Sequence, residues 1–134
     1  MKLPTAGLLV IQDRKLLLAY SNNKRCFYLP GGKVDIHETA TQALCREISE
    51  ELSVSIEETE LTHYTHITAP AFGEEKGTIM EQECFLLQRP ITPAASAEVS
   101  KLKYFSLEEY LSENNQAPGA VMILVHLHAN GLID

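Results

Sequence analysis

The chain has 134 residues, 45% of them hydrophobic, and no long polar or repetitive tract, which fits one compact domain over residues 1–134 with a real core. Its formal net charge of -7 argues against holding a nucleic-acid backbone by charge, because each neutralised phosphate needs a lysine or arginine. Cys26, Cys45 and Cys84 form neither a disulfide framework nor a zinc spacing and suit a reducing cytoplasm, while the first apolar run, Gly7 to Ile11, is too short to span a membrane.

In chain order, Thr5 to Ile11 and Leu16 to Tyr20 are aliphatic runs separated by the polar turn QDRK, a pattern that predicts a hairpin. Phe27 to Leu29 is a third apolar patch, stopped at Pro30-Gly31-Gly32, where two glycines free the backbone. From about Thr39 to Leu52 the spacing becomes helical, with Glu38 near the start, where an acid favours the positive end of the helix dipole. Leu61 to Thr68, Thr78 to Gln88 and Lys103 to Ser106 are further predicted strands, with PITPAASA (Pro90 to Ala97) as a loop between the last two. A second helical run starts near Leu107, and Ala117 to His128 reads as a third. Strands and helices interleave, so the class is α/β or α+β.

The central helix carries an anomaly. Placed at roughly 100° per residue from Glu47, the residues Ala43, Ala40, Leu44, Ile48 and Leu52 form one apolar arc; Glu47 and Glu51 fall inside it and Glu50 on its edge. Burying unpaired carboxylates is costly, and such groups persist where they pair or bind metal. Arg46 reaches Glu50 at i,i+4 spacing, yet one arginine cannot neutralise three acids. Periodicity leaves two readings open: oxygen ligands for a hard cation such as Mg²⁺, or acids lining an interdomain or subunit surface.

The stretch GKVDIHETATQALCREISEELSV, Gly32 to Val54, closely resembles the Nudix box. Gly32, Glu38, Arg46, Glu47, Ile48, Glu50, Glu51 and Val54 stand where that pattern wants them; Ser53 alone departs, replacing the glycine that closes the helix. LPGGKV before the box and EVSKLKYFSLEEY late in the chain extend the likeness. The resemblance implies an α/β/α sandwich with a mixed sheet, and a MutT-like pyrophosphohydrolase that cleaves a diphosphate bond in a nucleoside diphosphate-linked small molecule, first of all a nucleoside triphosphate. An ADP-ribose or sugar-nucleotide pyrophosphatase is the alternative, loosely supported by Pro70, sixteen residues past Val54. A nucleotide-sensing module without catalysis is a further one, and a homodimer is left open. Carried over residue by residue, Glu47, Glu50 and Glu51 would ligate Mg²⁺ or Mn²⁺, with a backbone oxygen around Gly31 and Gly32, and Arg46 would hold a glutamate in place. Glu38, about 180° from Glu47 on the wheel, reads as a helix-start residue more than a ligand.

The general base is Glu47 or Glu51, or one of Glu81, Glu83 and Glu98 outside the box. Tyr28, Tyr64 and Phe72 are candidates to stack on a nucleobase. His63 with His66, and His126 with His128, have spacings seen in metal sites, but no further ligand completes a tetrahedral set, so packing or surface roles are expected. Lys33 directly follows Gly32 and lacks the spacing of a P-loop.

Overall fold

A computed structural model describes residues 1–134. The strands are β1 (Lys2–Leu9), β2 (Ile11–Gln12), β3 (Lys15–Ser21), β4 (Cys26–Tyr28), β5 (Gly31–Lys33), β6 (Leu61–Pro70), β7 (Ile79–Leu87) and β8 (Val99–Phe105). The helices are α1 (Ala40–Leu52), α2 (Leu107–Leu111) and α3 (Pro118–Ala129), with one 3-10 turn at Glu58–Glu60. No helix is long and apolar enough to cross a membrane.

The strands make two four-stranded sheets. One is mixed, in the order β5-β1-β7-β6, with β1 parallel to β7 and antiparallel to β5. In the other, β3 pairs with β8 along one edge and with β2 and β4 along the other. Period-2 alternation divides the apolar residues between two layers. Ala6, Leu8 and Val10 join Leu17 and Phe85 beneath Leu44, Ile48 and Leu52 of α1. Leu9, Leu16, Leu18 and Cys84 face the other way, under Ile123, Leu124 and Leu127 of α3. The result is the expected α/β/α sandwich with a mixed sheet.

The predicted hairpin survives only at its tip. Ile11 and Gln12 pair with Leu16 and Lys15 around Asp13 and Arg14, both at positive φ as two-residue hairpin turns favour. The rest of the first run leaves its neighbour for another sheet, because β5 and β7 occupy both edges of β1. The Pro30-Gly31-Gly32 break also proves to be more than a loop. Gly31, at φ 140°, lies so close to β1 that a Cβ would stand 2.0 Å from the Ala6 carbonyl oxygen, and β5 forms because no side chain intervenes.

Candidate active site

Helix α1 is defined at both ends by its own sequence. Thr39 caps the start, its hydroxyl accepting from the Gln42 N–H while Gln42 Oε1 accepts from the Thr39 N–H. At the other end Ser53 adopts the left-handed conformation, φ 57° and ψ 37°, that glycine takes more cheaply. Between these caps Ala43, Leu44, Ile48 and Leu52 are buried, and the three acids grade away from them. Glu51 is buried, Glu47 keeps 18% of its side chain exposed and Glu50 55%. This is the order that the helical wheel assigns.

Each acid is held differently. Tyr28 Oη donates to Glu51 Oε2 at 2.8 Å and the Gly31 N–H to Oε1 at 3.1 Å. Burial nevertheless pushes the Glu51 carboxyl up to about 7, against those two donors. Glu47 Oε1 accepts from Arg46 Nη1 at 2.7 Å, while its Oε2 faces Gly32, where a Cβ would come within 2.6 Å. Gly32 is therefore the space into which Glu47 fits. Burial raises the Glu47 carboxyl too, with Arg46 opposing.

Arg46 is the hub. Its Nε and Nη2 bind the two oxygens of Glu38, each at 2.8 Å, and Nη2 also donates to the Lys33 carbonyl at 3.2 Å. Glu50 lies 3.9 Å from Nη1. The paired fork holds Glu38 down at about 2. Glu38 precedes the cap Thr39 and binds Arg46, so the helix-dipole role expected for it gives way to an ion pair.

These groups open onto a cleft of about 670 Å³ between α1, β5 and the turn joining β6 to β7. Its lining includes Asp35, Glu47, Glu50, Glu51, Glu74 and Glu98 but only Lys24 and Lys33 as cations, so an anion meets a surplus of negative charge. The donors are all oxygen, as hard divalent cations require, and Glu47 Oε2 and the Glu50 carboxylate receive no short hydrogen bond. No three His, Cys, Asp or Glu side chains are grouped closely enough to hold a metal ion by themselves. Such an open set fits Mg²⁺ or Mn²⁺, which take one or two carboxylates and keep positions for water and phosphate.

Of the remaining expected site residues, Glu98, Tyr28 and Phe72 line the cleft, with Gly31 and Gly32 at its β5 wall. Tyr64 does not: its ring packs edge-on against His126, and its hydroxyl accepts from Asn130 Nδ2 at 2.6 Å. Glu81 and Glu83 also lie elsewhere. Glu83 bonds His63 at 2.8 Å and His66 at 2.9 Å, and Glu81 bonds His66 at 2.7 Å, in an exposed ladder across β6 and β7. Their side chains point to the opposite face of β7 from Met80 and Gln82, which line the cleft. Gln82, Lys24 and Glu74 are lining residues that the sequence reading passes over. For Gln82 a signal existed, since it shares a strand face with Met80 and Cys84 where an apolar residue is expected.

Residues 1–124 match the family model described as NUDIX domain. No curated protein sequence matches the chain. Among solved structures, a MutT NUDIX hydrolase from Burkholderia pseudomallei superposes with a TM-score of 0.76 at 23% identity, over 93% of this chain and 97% of that one. The ORF135 protein of E. coli gives 0.74 at 25% identity over 96% and 92%. An ADP-ribose pyrophosphatase from Streptococcus suis gives 0.62 at 16% identity over 94% and 91%.

Proposed function

The chain belongs to the NUDIX domain family of hydrolases acting on pyrophosphate bonds, and from that premise we propose that it is a divalent-metal-dependent pyrophosphohydrolase of nucleoside triphosphates. The observation that carries the reading is the three-acid face of α1 in a cleft already rich in carboxylates. An anionic substrate gains nothing from such a surface unless cations stand between.

Glu47, Glu50 and Glu51 are the residues that would hold Mg²⁺ or Mn²⁺, and a cation there, when bound, polarises the phosphorus and acidifies water. The chain's own groups do the positioning. Tyr28 and the Gly31 N–H fix Glu51 at both oxygens. Arg46, anchored by Glu38, orients Glu47 through Oε1 and leaves Oε2 free for the cation. Glu98, the one expected base outside the box that lines the cleft, is the candidate to take the proton of the attacking water. Lys24 and Lys33 offer charge to the phosphate chain.

Residues 1–134 act as one unit in this reading, which is supported by the end of the chain returning to the first hairpin: the Asp134 N–H donates to the Arg14 carbonyl, and Arg14 pairs with the Asp134 carboxylate at 2.7 Å. Three unpaired cysteines support a reducing compartment.

The test is a screen of nucleoside triphosphates, ADP-ribose, sugar nucleotides and dinucleoside polyphosphates, read by phosphate or pyrophosphate release with Mg²⁺ and with excess EDTA. Turnover of a triphosphate that stops in EDTA and returns with Mg²⁺ supports the reading; turnover unaffected by the chelator overturns it. A clear preference for ADP-ribose would favour the second reading, to which the likeness to the S. suis enzyme points.

A further inference from the structure

Gln82 is 94% removed from solvent, its relative exposure being 6%, and it stands on the cleft face of β7. Its amide is poorly engaged for so buried a group. Oε1 meets only the Cys84 thiol, at 3.8 Å, and Nε2 reaches no acceptor in the protein. Every side-chain nitrogen and oxygen fully shut off from solvent has a partner, so Nε2 opens into the cleft.

The position is prepared by its neighbours. Gly7 on β1 has no side chain, and a Cβ there would stand 3.1 Å from Gln82 Cδ and Nε2, so the amide lies directly on the strand. Gln82 is also where the acid-lined cleft meets a smaller recess of about 60 Å³. That recess is walled by Tyr28, Leu29, Pro70, Phe72, Met80 and Gly119. Lys24 also lines it, with its ammonium 5.6 Å from the centre of the Tyr28 ring, and Gln82 is its one side-chain amide; an aromatic slot with so few polar groups suits a planar heterocycle with a hydrogen-bonding edge.

We infer that Gln82 is a specificity-determining residue, its Nε2–H donating to a carbonyl on the nucleobase of the substrate, so that guanine, cytosine or uracil is preferred to adenine. The inference rests on the reading of the protein as a nucleoside triphosphate hydrolase. Unpartnered donors favour an acceptor, and a site built to hydrogen-bond one group discriminates against substrates lacking it. Adenine carries an exocyclic amine where guanine carries the carbonyl.

The experiment compares kcat/KM for GTP, CTP, UTP and ATP with Mg²⁺ in the wild-type protein, Gln82→Leu and Gln82→Glu. Leu removes donor and acceptor at similar volume; Glu, once ionised, turns the donor into a second acceptor and adds a negative charge. The best carbonyl-bearing nucleotide should exceed ATP in the wild type, and the ratio should shrink about tenfold in either variant. Calorimetric binding of the corresponding nucleoside monophosphates with Mg²⁺ should show the same loss of preference. A wild-type protein that handles ATP as well as the other three overturns the inference without recourse to a variant. A ratio unchanged in whichever variant retains a cooperative thermal transition overturns it as well. Failure of the underlying reading looks different: no nucleotide is turned over at all.

Discussion

Tyr28 and Glu51 share a hydrogen bond of 2.8 Å in which the phenol donates to a carboxylate that burial would otherwise neutralise. Burial, and then the charge of Glu51, push the Tyr28 hydroxyl itself upward, so it stays a donor across the working pH range. Tyr28→Phe should therefore leave a folded protein whose Glu51 is less well held and more readily protonated. A loss of roughly tenfold in kcat/KM, with the melting temperature within a few degrees of wild type, is the expected outcome. Activity equal to wild type would make the bond a packing detail.

The acids of α1 should separate stability from activity. Glu47→Gln and Glu51→Gln keep the volume but remove a charged ligand, and each should cost on the order of a hundredfold to a thousandfold in rate. Without metal the same variants should be as stable as wild type or more so, because burial disfavours both carboxylates as anions. Glu38→Gln should fall between, near tenfold, because it breaks the fork that aims Arg46 at Glu47 without removing an oxygen of the cleft. Single-turnover rates and EDTA-treated thermal melts on the three variants check both halves.

Ser53→Gly tests the end of the helix. A non-glycine residue at φ 57° bears about 1 kcal/mol of strain that glycine does not. The substitution should raise the unfolding free energy by up to that amount, less the greater chain entropy of glycine when unfolded. Denaturant titration reads the change, and kcat should remain within a few-fold of wild type.

The ladder of His63, His66, Glu81 and Glu83 should make stability pH-dependent. Hydrogen bonds to Glu81 and Glu83 raise His66 above its ordinary 6.5. Glu81 is held low by His66 and then Thr68; burial works the other way on Glu83, but His63 and His66 keep it low. The contribution of His66 is thus fully present below pH 6.5 and is lost as pH rises through its elevated value. With 41% of the side chain exposed, the effect should be below about 1 kcal/mol. Thermal melts of wild type and His66→Gln between pH 6 and 8.5 should converge at the alkaline end; parallel curves would show no coupling.

The acid-bearing helix was the most legible element of the sequence, since period, caps and motif all act within a few residues of one another. Strand faces were harder. The run Thr78 to Gln88 carries polar residues on both faces, with Gln82 toward the cleft and Glu81 and Glu83 away from it, so alternation alone could not say which acids meet the helix. Tyr64 was misplaced for a related reason: whether its ring meets the cleft or α3 depends on how β6 is seated against that helix, and the register shift between His63 and Thr65 reflects no local sequence signal. The hairpin was half right because local turn chemistry governs Asp13 and Arg14, while the pairing of β1 is decided by strands far along the chain.

Lys2 lies opposite Ile79 and Leu9 opposite Leu86, so the central pair of the mixed sheet joins the start of the chain to a segment well past its middle. Tyr28, Gly31, Glu38, Arg46 and Glu51, by contrast, are close enough in sequence to meet early. On a ribosome adding about 5–20 residues per second, roughly 2–7 s separate the completion of α1 from that of β7. During that interval Leu44, Ile48 and Leu52 lack the Phe85 and Leu87 side of their core. Docking of β7 beside β1 is then the step expected to limit folding, and the nascent chain has its greatest need of chaperone cover after its acids are in place and before the floor beneath them exists.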